Sequence, residues 1–232
     1  MNKKFSRVVF WLMSICLGYF ALFLPSRMVA QTAVSSTRND AILNYPHDVR
    51  FVLDLPADSD VTGAALTYDV AKTSCLDAAA QVPVELTATD AGLTAEWTWV
   101  MSRSGNPPPG AELTWQWTLT HADGRTTTTS PQNLTFTDDR FAWRTVSAEG
   151  VTLHWYRGDE VGPLLLEAAV AGLDTLERDM GIDLQEDVDL YIYGSAADMR
   201  QALLYVQEWA GGVAFDEYNT ILIGVAPASA AS

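Results

Sequence analysis

Four tryptophans stand in two alternating pairs, Trp97 with Trp99 and Trp115 with Trp117. Alternation puts each pair on one face of a strand, where indoles either stack on sugar rings or fill a β core. The stretch DSDVTGAALTYD sets Asp58, Asp60, Thr62, Gly63 and Asp69 near the offsets of a calcium loop. Its last donor is an Asp where such loops place a bidentate Glu, and its flanks read as strands where they have helices. The three histidines, His47, His121 and His154, are scattered, and none has a second His or a Cys at metal-ligand spacing. His121 falls at a hairpin turn and His154 on one side of an alternating strand, so both read as structural. No G-x-S-x-G and no phosphate-cradling glycine loop occurs. The acidic pairs Asp138-Asp139 and Asp216-Glu217 read as solvated surface at a linker and a turn. By spacing alone, the chain carries no catalytic site.

The elements that would position these residues fall into two regimes. From about Asp40 to Phe136, VRFVLDL, GAALTYDVA, VPVELTAT, LTAEWTWVM, AELTWQWTLT and TTTTSPQNLTF are short, alternating and rich in β-branched and aromatic residues. HADGR places Asp123-Gly124 between two such runs as a hairpin turn, and the prolines of SGNPPPG confine that stretch to a loop. Beyond residue 138, VTLHWYRG reads as a strand. Leu166, Ala169, Val170, Leu173, Leu176 and Met180 share a helical face that ends at Gly181, a C-terminal cap. VDLYIYG is the next strand, and Ser195 is an N-cap for AADMRQALLY, with Asp198 placed to complete a capping box. GGVAF and TILIG close the series as strands.

Composition narrows the partners. Apolar residues make up 48% and charged residues 19%, which is globular and too apolar for disorder. The net charge is −15, and without residues 1–30, which hold Lys3, Lys4, Arg7 and Arg27 but no acid, it is −19. Phosphate backbones and anionic lipid repel such a surface. MNKKFSR followed by the apolar run Val8 to Leu24 reads as a signal peptide, with Ala30 or Ala33 as the cleavage position, or as a retained anchor. Either way the remainder is exported. Cys16 lies within the apolar run and Cys75 is the other cysteine, so the mature part has no internal disulfide.

The stretches DDRFAWRTVSAEGVTLHWYRGD, LLEAAVAGLDTLERDMGIDLQEDVDLYIYGSAADMRQALL and EWAGGVAFDEYNTILIG resemble the opening of bacterial exported proteins of the peptidase MA-like family, zinc metallopeptidases of gluzincin type. The preceding strands, with LTWQWTLTHADG running into TFTDDRF, resemble the domain that commonly precedes that catalytic region. The resemblance implies an α/β lobe packed against a helix that carries H-E-x-x-H, whose two His bind zinc while the Glu acts on the bound water. It also implies that the edge strand before that helix lines the substrate cleft. GGVAF, that is Gly211, Gly212, Val213, Ala214 and Phe215, stands at this place and is the candidate substrate-binding segment. Alternatively, Gly211 and Gly212 serve only a tight turn after Trp209.

These readings combine into one expectation. The fold is a signal or anchor segment (1–30), an all-β, immunoglobulin-like sandwich (38–138), and a partial α/β lobe of order β-α-β-α-β-β (139–232). The sequence contains no H-E-x-x-H and ends at VAPASAAS just after TILIG. The expected protein is therefore an extracytoplasmic, truncated metallopeptidase homologue, inactive as written, with no metal or other cofactor of its own and zinc only in full-length relatives. An inactive fragment, a protein completed by a second polypeptide and a chain retained for its sandwich all remain open. The partner implied is a peptide or protein, with no nucleic acid and with membrane anchoring through residues 8–24. The rival reading is a non-catalytic sandwich that binds protein or glycan.

Overall fold

The computed structural model describes residues 36–72, 79–181 and 184–225, all within one compact unit, Thr32–Ser232. The chain order is β1 (Arg38–Asn44), β2 (Asp48–Pro56), β3 (Val61–Val70), β4 (Ala80–Val84), β5 (Leu86–Thr89), β6 (Gly92–Val100), β7 (Glu112–His121), β8 (Thr126–Thr128) and β9 (Gln132–Thr135). There follow β10 (Arg144–Ala148), β11 (Val151–Trp155), α1 (Val161–Met180), β12 (Val188–Tyr193), α2 (Ala196–Gln201), β13 (Gly212–Phe215) and β14 (Thr220–Gly224).

Two antiparallel sheets, β1-β2-β6-β5 and β4-β3-β7-β8 with β9 also on β7, share one core. The period-2 pattern of the sequence explains it: Val49, Phe51, Leu53 and Leu55 of β2 are buried, as are Leu113, Trp115, Trp117 and Leu119 of β7. Phe51 meets Tyr68 and Trp115 of the other sheet at 5.5 and 5.8 Å between ring centroids. Trp97 and Trp99 lie half-buried against the ring of Tyr68, at 5.2 and 5.3 Å. All four tryptophans of the two alternating pairs thus pack on this core rather than forming an open platform.

The third sheet has the order β10-β11-β12-β14-β13. Its inner pairs β11-β12 and β12-β14 are parallel, and the outer pairs β10-β11 and β13-β14 are antiparallel. One face buries Val151, Leu153, Trp155 and Ile192 with Leu166 of α1. Gly162 lets the helix approach: a Cβ there would lie 2.4 Å from the Trp155 ring. The other face sends Tyr191, Tyr193 and Leu222 into the core of the first two sheets.

The expected fold class needs correction. Among the described residues the protein is predominantly β, with three sheets and two α-helices, and its first part carries no distinct immunoglobulin-like assignment. The part after residue 138, expected as a partial α/β lobe of order β-α-β-α-β-β, is a mixed five-stranded sheet in which one long helix covers one face. Strand β10, absent from that order, pairs with β11, and α2 stops at Gln201 because Ala202 and Leu203 turn into the core. The signal or anchor segment lies outside the described residues, and no described helix is long and apolar enough to cross a membrane.

Asp138 also departs from expectation: its side chain is 1% exposed. Arg140 donates to it through Nε at 2.8 Å and Nη2 at 2.6 Å, and the Tyr193 hydroxyl donates at 3.0 Å. The same guanidinium donates to the Asp198 carbonyl and to Gln201 Oε1, both at 3.0 Å, which ties α2 to the segment after β9. The Asp198 carboxylate accepts from the Tyr156 hydroxyl at 2.8 Å, so the capping box is half made: Ser195 Oγ caps the Asp198 N–H while Asp198 serves the network. A buried carboxylate is tolerated only when paired, and removing one partner of such a pair costs several kcal/mol. Asp138→Ala is expected to lower stability by about 3 kcal/mol in urea unfolding at neutral pH. Asp139→Ala, on the exposed neighbour, is expected to stay within about 0.5 kcal/mol.

Candidate functional site

Strand β13 ends the order of the third sheet, so one side of it has no neighbouring strand. Its register with β14 pairs Gly212 with Ile223, Val213 with Leu222, Ala214 with Ile221 and Phe215 with Thr220. The Gly224 N–H donates to the Gly211 carbonyl at 2.9 Å, which makes that pair a hydrogen-bonded one. Antiparallel ladders alternate, so Val213 and Phe215 also turn their backbone groups to β14. Gly212 and Ala214 turn theirs outward, and these groups have no partner among the described residues.

Neither Gly211 nor Gly212 has a positive φ, so the backbone at this point does not demand glycine. A Cβ on Gly211 would meet nothing within 4 Å. What the glycines leave is a bare edge, bordered by Trp209, which is 85% exposed. The strand underneath is firmly seated, with Thr220 and Leu222 buried. Gly224 at its end abuts the backbone of Ala196 so closely that a Cβ would fall 2.4 Å from the Ala196 Cα. A 3-10 turn, Asp216–Tyr218, and Asn219 in the left-handed region connect β13 to β14.

Beside β13 lies a cleft of about 460 Å³ whose walls come from both parts of the chain. Phe215 and Tyr218 form one side, Tyr68 and Trp99 the other, and Lys72 and Glu217 face each other at 2.6 Å. The loop SGNPPPG closes it: Asn106 Nδ2 donates to the Ala202 carbonyl at 2.9 Å and Asn106 Oδ1 accepts the Leu204 N–H at 3.0 Å. Burial holds the hydroxyls of Tyr68 and Tyr218 above the ordinary tyrosine pKa. No sequence signal announces this cleft, since its four aromatic residues come from β3, β6, β13 and the 3-10 turn.

The other candidate groups do not gather here. Asp60 bonds His121 Nδ1 at 2.5 Å, and His121 Nε2 bonds Thr127 Oγ1 at 2.7 Å, so the calcium-like stretch leads into strand β3 with one of its three acids, Asp60, committed to a histidine. That contact holds the Asp60 carboxyl below its usual range. His154 stacks on Tyr191 at 4.2 Å and bonds Asp189 at 2.9 Å and Thr145 at 3.1 Å. Asp138 is buried in its ion pair, and Glu217 is held by Lys72. No group of three or more His, Cys, Asp or Glu among the described residues is placed to hold a metal ion. The described residues thus offer no cluster that fits a zinc ion.

Residues 168–231, from within α1 through β14, match the family profile of the Peptidase MA superfamily, which supports a peptidase-like ancestry for that stretch. Comparison with curated proteins gives no match. Among solved structures, a myokine is similar at 10% identity and a TM-score of 0.30, over 44% of this chain and 96% of that one. A purple acid phosphatase from yellow lupin (Lupinus luteus) is similar at 9% and 0.35, over 68% of this chain and 29% of that one. A polysaccharide deacetylase from Bacillus cereus is similar at 13% and 0.31, over 70% and 52%. The chain spans about a third and half of the lengths of the last two, and likenesses this distant bear on neither fold nor chemistry.

Elsewhere in the fold, burial is the first cause that raises Tyr45, Tyr191 and Tyr193 well above the ordinary value and Tyr156 to about 12. A phenol whose folded pKa exceeds its unfolded one stabilises the fold fully below about pH 10, and that contribution is lost as pH rises through the folded value. The urea midpoint is therefore expected to fall as pH rises from about 10 to about 12, with tyrosinate absorbance rising together with loss of the far-UV signal. Gradual ionisation of these tyrosines with the fold intact would contradict the burial described.

Proposed function

We propose that this chain binds an extended peptide by strand addition on the free side of β13, as the substrate-strand face of a peptidase MA-type unit. The observation that carries the reading is the pair of outward-turned, unpartnered residues Gly212 and Ala214 within the stretch that matches that superfamily. Main-chain groups at a sheet edge recognise any extended chain, and small side chains at those two positions leave room for it. The acidic surface favours a peptide that is neutral or basic over nucleic acid.

Peptide hydrolysis in this family type rests on zinc held by H-E-x-x-H, which these 232 residues do not contain. The proposed role of these residues is accordingly to hold a peptide and not to cleave it. The basic and apolar N-terminal residues support a bacterial, extracytoplasmic setting, with residues 8–24 as signal or anchor.

The test is Ala214→Pro in the full chain. Proline removes the outward N–H and leaves the ladder to β14 untouched, because edge strands tolerate proline on the solvent side. Titration with a blocked, Thr-rich extended peptide should show about a tenfold loss of affinity with an unchanged melting temperature. Equal binding by the variant and the parent would sink strand addition.

A further inference from the structure

The cleft between β13 and the first two sheets has no role in backbone pairing, yet it opens beside Phe215, the last residue of that strand. We infer that it is a side-chain subsite for an aromatic residue of the bound peptide, an inference that rests on the strand-addition reading. Register supplies the link. On the free side of β13, Gly212 and Ala214 form the hydrogen-bonded positions, so a residue of an incoming antiparallel strand opposite Val213 or Phe215 occupies a non-hydrogen-bonded position. Directly opposed residues point to the same face, and at such positions their side chains come closest. Val213 and Phe215 face the core side of the sheet, and Phe215 is itself a wall of the cleft. The peptide residue opposite Phe215 is thereby directed into the space between Phe215, Tyr218, Tyr68 and Trp99.

The lining decides the chemistry of what enters. Asn106 spends its amide on Tyr45, Pro107, Ala202 and Leu204, Ser104 is taken by Trp99 and by the Gly105 carbonyl, and Lys72 is paired with Glu217. A sugar would need several of those groups free. What remains open are ring faces and edges, though Lys72 Nζ lies over the Tyr218 ring at 5.8 Å, together with one carboxylate, Asp69, and the Tyr68 and Tyr218 hydroxyls, which have no hydrogen-bond partner among the described residues. Aromatic rings at edge-to-face or offset distances are the partners such walls favour, and a phenol or indole in the subsite can also meet a free hydroxyl. Lys72 and Glu217 pair at the rim, where Asp69 adds a second carboxylate, so the subsite selects for ring character and against an anionic side chain.

The experiment uses the full chain and two blocked, Thr-rich peptides that differ only at one central residue, Phe in one and Ala in the other, titrated calorimetrically. The parent is expected to prefer the Phe peptide by about tenfold, the order expected for burying one large side chain. Tyr218→Ala should erase that preference while leaving the weaker binding of the Ala peptide. Ala80→Trp, which fills the cleft from β4 without removing a core residue, should do the same and guards against a Tyr218 variant that fails to fold. Equal affinity of the parent for the two peptides, with both still weakened by Ala214→Pro, overturns the subsite and leaves strand addition standing. A Phe preference that Ala80→Trp abolishes but Ala214→Pro does not touch overturns strand addition, and with it the register that directs a peptide side chain into the cleft. Absence of binding by either peptide to the folded parent overturns both.

Discussion

Asp138 and Arg140 stand two residues apart in the short segment between β9 and β10, and the carboxylate between them is almost wholly removed from water. A charge in that position must be met on every side, and the structure meets it with the Arg140 fork, the Tyr193 hydroxyl from the third sheet and the backbone of the same turn. The obligation runs outward from there. Arg140, whose own pKa is raised by its bond to Asp138, must reach the start and end of α2, and Asp198 in turn must accept Tyr156. Phe141 stacks on Tyr156 at 3.9 Å, and Trp143 donates its indole N–H to the Asp138 carbonyl at 2.8 Å. The ion pair thus joins the shared apolar core in holding the third sheet against the first two, because separating them would strand a desolvated ion.

That orientation is what brings β13 and its turn alongside β3 and the loop after β6. The free strand edge is made by third-sheet residues alone, through the alternation of the β13-β14 ladder. The cleft is not: Tyr68 and Trp99 belong to the earlier sheets, Phe215 and Tyr218 to the later one. The free edge and the cleft thus have separate structural origins, and the Asp138–Arg140 pair and the shared apolar core bring them together.

What the sequence disclosed follows the same division between local and distant causes. Alternation in VRFVLDL and LTWQWTLT is a local property, and those segments are strands with the inward residues it implies. Gly181 at φ 65° ending α1 and Ser195 capping α2 are likewise signalled by residues within one turn. Asp138 reads as solvated in the sequence because its partner Tyr193 lies 55 residues away and nothing nearby marks the carboxylate as buried. The second helix is shorter than its spacing implies for a related reason: helical spacing over 196–205 is present in the sequence, but the pull of the core on Ala202 and Leu203 ends α2 after six residues. Residues Gly211 to Phe215 stand out as an edge by resemblance, whereas the cleft beside them needs three dimensions to exist.

Gly162 presses so close to the Trp155 indole that no larger residue fits without moving the helix or the ring. Trp155 is held in place at both its edge and its face, since its N–H donates to the Gly158 carbonyl at 3.0 Å and the Arg144 guanidinium lies over the ring at 5.2 Å. The height of α1 above its sheet is consequently gauged by one hydrogen atom. A single methyl group at position 162 would therefore press on the whole of α1 and not on one turn alone, since the twenty residues of the helix are one rigid rod.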